Sequence, residues 1–463
     1  MAEAAPAGWA ELIQPRLAPR TALVLLGIWL NAADGLVTAT IMPSVAHDLG
    51  GYAWFGWAVA IYLIGSIASA ASAGQLAKRI GLKRAIVLAA LVYSAGCGLS
   101  AAAGSITAFM AGRFAQGLGG GWVVGFCYVA IGQLFEDRLW ARIFGAGAGV
   151  WGVASFLGPL LGGVFAEVHF WRGAFWFFAV QGIGLAIIAP GLLGASALAN
   201  EERQPLAWRT LLVLTAAILA IALADILASV GWAIALLVLG LLLLGIAGRV
   251  NAWPRERLLP REAVQPATVP GAGYAFIFAM SAASAVFGVY GAAVLQVAYG
   301  LSPLAAGYVV ASDAVGWTLT ALLVSGQPER RHGSFIVCGG IIITLGMSML
   351  SLSIIAGGPL WVAISGFVLG AGFGLAWSLV TRRILISLPE EERAVGASAA
   401  PTSQMVGSAV GAAAAGAAAN LLGLAHSFTA AHADQSASWL FALFIPLAGA
   451  GVLAAWRLAR GLR

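Results

Sequence analysis

Three aspartates and one arginine stand inside long apolar runs: Asp34, Asp225, Asp313 and Arg113. An ionised side chain in hydrocarbon costs at least about 2.5–3.5 kcal/mol, so each needs a partner or a wet cavity and marks a candidate site. Burial penalises the charged form of an acid, so a carboxylate there can take up and release a proton. None of the histidines (His47, His169, His332, His426, His432) falls in the middle of an apolar run. Proton chemistry would therefore rest on carboxylates, with Asp34 the first candidate and Asp313 the second. Asp225 lies near the turn between two apolar runs, where simple exposure accounts for it. For Asp34 and Asp313 the plain alternative is a structural hydrogen bond to another helix; for Arg113 it is snorkelling to the interface. Cys97, Cys127 and Cys338 each stand singly in apolar segments, without metal-ligand spacing, and read as packing residues. No nucleotide-binding loop, metal cluster or nucleophile elbow appears, so no catalytic residue, metal or cofactor is expected, and an enzyme is a remote reading.

The elements that must hold these residues are membrane helices. The chain is 61% hydrophobic and 9% charged, with a mean hydropathy of +0.94. A soluble protein carries about 25% charged residues; so little charge leaves most of the surface for lipid. The sequence predicts fourteen spans of roughly 20 residues. Six run over Thr21–Met42, Trp54–Ala77, Arg84–Ala103, Ile106–Leu134, Ala141–Phe165 and Gly173–Leu193. Two more, Leu211–Ala228 and Trp232–Ile246, form a hairpin. The last six are Tyr274–Ala298, Pro303–Val324, Ser334–Ile355, Leu360–Val380, Ala394–Leu422 and Trp439–Trp456. The fold class is thus all-α and polytopic, two six-helix bundles with a central two-helix insertion. The expected segments are a cytoplasmic N-terminus (1–20), a first bundle (21–193), a linker (194–210), the hairpin (211–248), a second linker (249–273), a second bundle (274–458) and a tail (459–463). With the N-terminus in the cytoplasm, every lysine and arginine except Arg113 and Arg172 falls on the cytoplasmic side, the positive-inside pattern. The net charge of +6 therefore reads as topology rather than nucleic-acid binding. No cleavable signal peptide is expected, since the first 20 residues lack an apolar core. Charge alone does not separate twelve spans from fourteen, because removing the hairpin preserves the alternation.

Several motifs sit on these spans. The loop after the second span reads Gly74-Gln75-Leu76-Ala77-Lys78-Arg79-Ile80-Gly81-Leu82-Lys83-Arg84. The fourth span holds Arg113-Phe114-Ala115-Gln116-Gly117, and the fifth holds Gly158-Pro159-Leu160-Leu161-Gly162-Gly163. These three segments resemble signatures of the major facilitator superfamily. In that family the Gly74-type turn locks neighbouring helices in one state; its usual acid falls at Lys78 here. The resemblance implies a role for Arg113 and Gln116 in proton transfer or in holding a carboxylate. The Gly-Pro-x-x-Gly-Gly segment is similar to the one associated with antiporters. Asn31–Pro43 with Asp34, Gly300–Gly307 and Gln404–Gly411 resemble the 14-span drug:proton antiporters. The plain readings are a solvated basic loop and ordinary small-residue packing. A weak repeat joins the halves: Gly117, Gly119, Gly120 and Gly121 in the fourth span answer Gly370, Gly372 and Gly374 in the twelfth, each followed by a charged turn.

Among 17 tryptophans, Trp54, Trp57, Trp171 and Trp176 fall near span ends and read as interfacial belt. Tyr62, Trp122, Trp151, Phe287, Tyr290, Trp317 and Trp377 fall deeper and, with Gln404, are candidates to line a substrate cavity. Each taken alone fits packing or lipid contact better than contact with a solute. Aromatic lining with few polar groups suits amphiphilic, aromatic or cationic solutes rather than sugars. Together these features imply a secondary active transporter exporting such solutes in exchange for protons by alternating access, driven by the proton gradient. It is expected in a bacterial inner membrane as a monomer, with lipid and a small solute as its partners. The alternatives are an importer or facilitator of one metabolite, or an exporter of a siderophore or lipid. A receptor is remote, since no loop is long enough for a sensory domain.

Overall fold

A computed structural model describes residues 8–49, 55–193, 207–226, 229–253, 257–301, 303–356, 358–422 and 430–460. The described residues are nearly all helical. A short α1 (Trp9–Leu12) precedes six long helices: α2 (Ala18–Leu49), α3 (Phe55–Ile80), α4 (Leu82–Ala101), α5 (Ile106–Leu134), α6 (Trp140–Glu167) and α7 (Trp171–Leu192). The hairpin is α8 (Trp208–Ile226) and α9 (Val230–Asn251). Then come α10 (Val269–Tyr299), α11 (Pro303–Val324), α12 (His332–Ala356), α13 (Gly358–Ser387), α14 (Glu390–Leu421), α15 (Ala430–Ala442) and α16 (Ile445–Arg460). Within the described residues the predicted spans lie on these helices to within a few residues, and the last is interrupted. α16 opens on Ile445-Pro446, and a proline without an N–H donor breaks the helical ladder at Leu443–Phe444. Trp54, Arg203, Arg255 and His426, and most of the expected 194–210 linker, lie outside the described residues.

Eleven described helices are long and apolar enough to cross a bilayer, counting 436–460 as one. α8 is apolar but shorter in its described part. α3 and α14 are rich in Ala, Ser and Gly. They can be less apolar because α14 packs on α3 and α5, so these helices face protein rather than lipid.

Two hydrophobic cores divide the chain. One runs from Leu12 to Leu193 and the other is built mainly from α10 to α16. In each, a glycine-bearing helix is wedged between two neighbours. A Cβ at Gly117 or Gly121 of α5 would lie 2.2 Å from the Tyr62 carbonyl or 2.0 Å from the Ser66 carbonyl of α3. One at Gly119 would lie 2.2 Å from the Tyr93 nitrogen of α4. In α13, a Cβ at Gly370 or Gly374 would lie 1.8 or 2.2 Å from the Asp313 or Trp317 carbonyl of α11, and one at Gly372 would lie 2.6 Å from the Ile343 nitrogen of α12. Even-spaced glycines thus let three backbones approach in both halves, the structural form of the repeat.

The halves meet along two seams. At one, α3 packs on α14 and α8 covers the joint, with Ile64, Ile67, Ile218, Ile221, Val406 and Val410 in one cluster. At the other, α6 packs on α11, and Thr318 donates to the Ala148 carbonyl at 3.0 Å.

Candidate functional site

The wedge of α5 between α3 and α4 brings its polar face toward α2, and there the buried ions meet. Asp34 is 0% exposed and Arg113 2%. Their closest atoms, Arg113 Nη1 and Asp34 Oδ2, are 3.5 Å apart. Gln116 joins them more closely. Arg113 Nη1 donates to Gln116 Oε1 at 2.7 Å, and Gln116 Nε2 donates to Asp34 Oδ1 at 2.8 Å. Thr38, one turn along α2, donates to the same Oδ1 at 3.3 Å. The guanidinium carbon lies 4.4 Å from the centre of the Tyr62 ring, a cation–π contact, and the Tyr62 hydroxyl donates to Asn31 Oδ1 at 3.1 Å. Gly120 leaves the space that hydroxyl occupies, since a Cβ there would lie 2.7 Å from it. Arg113 is therefore enclosed by protein rather than snorkelling to an interface. Charges removed from water persist only when paired and hydrogen-bonded, and this constellation supplies both. Among its members, Asn31 and Thr38 had no assigned role in the sequence. The Asp34–Thr38 spacing of one helical turn is the signal that could have found Thr38.

Asp313 lies elsewhere. Its backbone carbonyl packs on Gly370, the place that Tyr62 takes on Gly117 in the first half. Its Oδ1 is buried and has no hydrogen-bond partner among the described residues. Where Arg113 stands four residues before Gly117, the second half has Gly366, which packs against Phe287. Phe287 is buried and meets Phe441 edge-on, with ring centres 6.4 Å apart. Among the described residues the counterpart position thus holds no ion pair, and Phe287 and the Ser312 hydroxyl pack there instead. Asp225 lies in α8, with its side chain outside the described part.

The aromatic candidates separate. Trp317 stacks on Phe373 (4.9 Å, 8° between planes) and lies 5.4 Å from Trp377, whose indole faces the Tyr128 hydroxyl of α5. This group bridges the two halves. Trp122 donates to Ser72 Oγ at 2.9 Å within the first half. Tyr290 and Gln404 are partly buried on α10 and α14. Trp151 is 45% exposed on α6, on the face that Gly147, Gly158 and Gly162 turn toward α2.

The conformational motifs lie at the arginine-rich end or along the seams. The Gly74 amide donates to Ser398 Oγ at 3.2 Å, and a Cβ at Gly74 would meet the α14 backbone at 2.7 Å. Lys78 Nζ donates to the Glu391 carbonyl. A helix N-terminus ordinarily favours an anion; here the first turn of α14 carries Glu390, Glu391 and Glu392, so a cation fits where the family signature has an acid. Gly81 takes φ +82° as α4 begins, and Arg79 and Arg84 are exposed. Gly158 and Gly162 seat Leu36 and Thr40 of α2, Gly163 faces open space, and the Pro159 side chain lies outside the described part. The same end carries further ties. Arg382 Nε donates to the Asp137 carbonyl at 3.1 Å across the halves. Arg138 pairs with Glu11 and Glu136, each at 2.7 Å. The hydrogen bond from Arg138 holds the Glu11 carboxyl below the ordinary glutamate range. At the opposite end Arg172 lies 3.5 Å from Asp48 and donates to the Ala103 carbonyl at 3.0 Å.

The Major Facilitator Superfamily profile matches residues 24–206, which hold all of this constellation. The region that holds the constellation is therefore similar to major facilitator proteins. The chain's similarity to a probable multidrug-efflux transporter of Mycobacterium tuberculosis, Rv1634, is 29% identity over 97% of this chain and 96% of that protein. To the multidrug transporter MdtP of Bacillus subtilis it is 24%, over 85% and 74%. The fold is shared with the proton:xylose symporter XylE (TM-score 0.67, 16% identity, 95% and 94% covered). It is also shared with the human organic anion transporter MFSD10 (0.66, 14%, 94% and 100%). The long apolar helices make the chain an integral membrane protein, and the relatives and structural neighbours it resembles are named transporters.

Proposed function

We propose that the chain is a proton-coupled exporter of amphiphilic, aromatic or cationic compounds. The single observation that carries this is the enclosed Asp34–Gln116–Arg113 constellation in a chain similar over nearly its whole length to a probable multidrug-efflux transporter. In this reading Asp34 is the coupling acid. When ionised it is balanced by Arg113, directly and through Gln116. When it takes a proton, Arg113 loses its counter-ion while keeping Gln116 and the Tyr62 ring, so the two protonation states favour different packings of α2, α3 and α5. Asp313 is the second coupling candidate.

The state described has the halves joined at the arginine-rich end, through Gly74–Ser398, Lys78–Glu391 and Arg382–Asp137. If that end is cytoplasmic, as the arginines argue, the cytoplasmic side is closed. Rocking the first six helices against the last six would open it. The Trp317–Phe373–Trp377 group, touching Tyr128 across the halves, is the aromatic surface we assign to the solute; Tyr62 and Trp122 lie on the first-half side. Phe287 is packed in the second core and is not assigned to it. We place the protein in a bacterial inner membrane with both termini cytoplasmic, acting as a monomer. An importer of a metabolite is the second reading, because XylE shares the fold and is named a symporter. Inverted proteoliposomes expose the cytoplasmic face. With an acidic lumen, the exporter reading predicts that a fluorescent lipophilic cation accumulates and that nigericin abolishes the accumulation. No accumulation across a panel of cationic and aromatic solutes, by protein shown to be folded, overturns it.

A further inference from the structure

The hairpin does more than cover a seam. Between α8, α9, the 257–266 segment, α10, α14 and α16 lies a chamber of about 560 Å³, within the size range of ligand pockets. Its walls are apolar, with Leu214, Leu241, Leu244, Phe278, Val406 and Ala454 among them. Two of its four polar side chains are already engaged: Tyr274 donates to the Gly396 carbonyl at 2.9 Å and Thr402 to the Ser398 carbonyl at 2.8 Å. The lining therefore suits an apolar occupant. The wall is fixed in place. Asn251, 1% exposed, accepts from the Leu258 and Leu259 amides at 2.7 and 2.8 Å and donates to the Leu259 carbonyl at 3.1 Å. Leu241 and Val264 are exposed, so the chamber opens sideways, toward the bilayer. Among the described residues beside the wall, Arg249 follows Gly248 and is exposed, Arg257 precedes Leu258, and Glu262 precedes Ala263. Arg257 Nε is buried without a hydrogen-bond partner among the described residues. Nearby Arg261 is already paired with Glu392 at 3.5 Å.

We propose that this chamber binds an anionic phospholipid, one acyl chain inside and the headgroup phosphate at Arg249 and Arg257. An apolar slot open to lipid, with Arg249 and Arg257 beside its wall, has the charge and polarity of one such molecule lying in its own leaflet. The lipid would hold the hairpin to α10 and α16. The site is separate from the Asp34 constellation and does not depend on the direction or coupling of transport.

The test uses purified full-length protein stripped of lipid, offered phosphatidylglycerol or phosphatidylcholine, with retained lipid counted by native mass spectrometry. Thermal melting is read alongside. Phosphatidylglycerol should be retained in preference and should raise the melting temperature. Gly245→Trp should abolish both effects: Gly245 lines the chamber and a Cβ there meets nothing within 4 Å. Ala275→Phe is a second filling variant should the first fold poorly. Arg249→Gln with Arg257→Gln should weaken phosphatidylglycerol retention by roughly tenfold to thirtyfold. Equal retention of the two lipids, or undiminished retention by folded filled variants, overturns the proposal. So does displacement of the lipid by a transported dye, which would make the chamber part of the solute path.

Discussion

Gln116 is the residue on which the constellation turns. The direct Arg113–Asp34 approach is 3.5 Å, whereas both contacts through the Gln116 amide are under 3 Å. Replacing one partner of a buried pair leaves an uncompensated charge, at a cost of about 3–5 kcal/mol. Arg113→Gln is therefore expected to lower the melting temperature sharply in detergent. Adding Asp34→Asn should restore part of the loss, because the orphaned charge is then gone. Additive losses in that double-mutant cycle would show that the two residues are not a pair. Asp34 and Arg113 were each legible in the sequence, because an ion in an apolar run is too costly to stand there without a role. That they meet was not, since 79 residues separate them and only the wedging of α5 brings them together. Asp313 was equally visible, yet the structure gives it no cation among the described residues; composition shows an ion's cost, not its neighbour.

Among the elements, α3 and α14 set how closely the halves approach. The Gly74 amide and its missing side chain let α14 lie on α3, and a Cβ there overlaps backbone, which no rotamer change relieves. Overpacking of this kind costs about 1–3 kcal/mol, or roughly tenfold in the population of the closed end at its midpoint. Gly74→Val is thus expected to slow transport by about tenfold while the protein still folds, measured as initial rate per folded molecule in proteoliposomes. An unchanged rate would separate this contact from the cycle. The helices themselves were legible almost to their ends, because hydropathy and span length leave few choices. Two features were not: the break at Leu443–Phe444, hidden in a continuous apolar run, and the placement of α8 on the α3–α14 seam. The hairpin's sequence says that it is apolar, and nothing in it says which seam it covers.

For the whole molecule, the account requires that the arginine-rich end open and close. Lys78 and the Glu391 carbonyl touch across the halves, so Lys78→Cys with Glu391→Cys can be bridged by a short, reducible bifunctional thiol reagent. Cys97 and Cys127 are buried and Cys338 is exposed, which makes Cys338→Ser the proper background. Bridging should stop transport and dithiothreitol should restore it; transport that continues when bridged would exclude rocking at this end. The central claim is that Asp34 couples this motion to protons, and one measurement reaches it most directly. Wild type and Asp34→Asn are compared in inverted proteoliposomes for two activities, accumulation of a lipophilic cation against an acidic lumen and its exchange at equal pH on both sides. The account predicts that Asp34→Asn loses accumulation by at least about tenfold while exchange survives, because the path remains and the proton step is gone. Full gradient-driven accumulation by Asp34→Asn would contradict it and move coupling to Asp313 or another group.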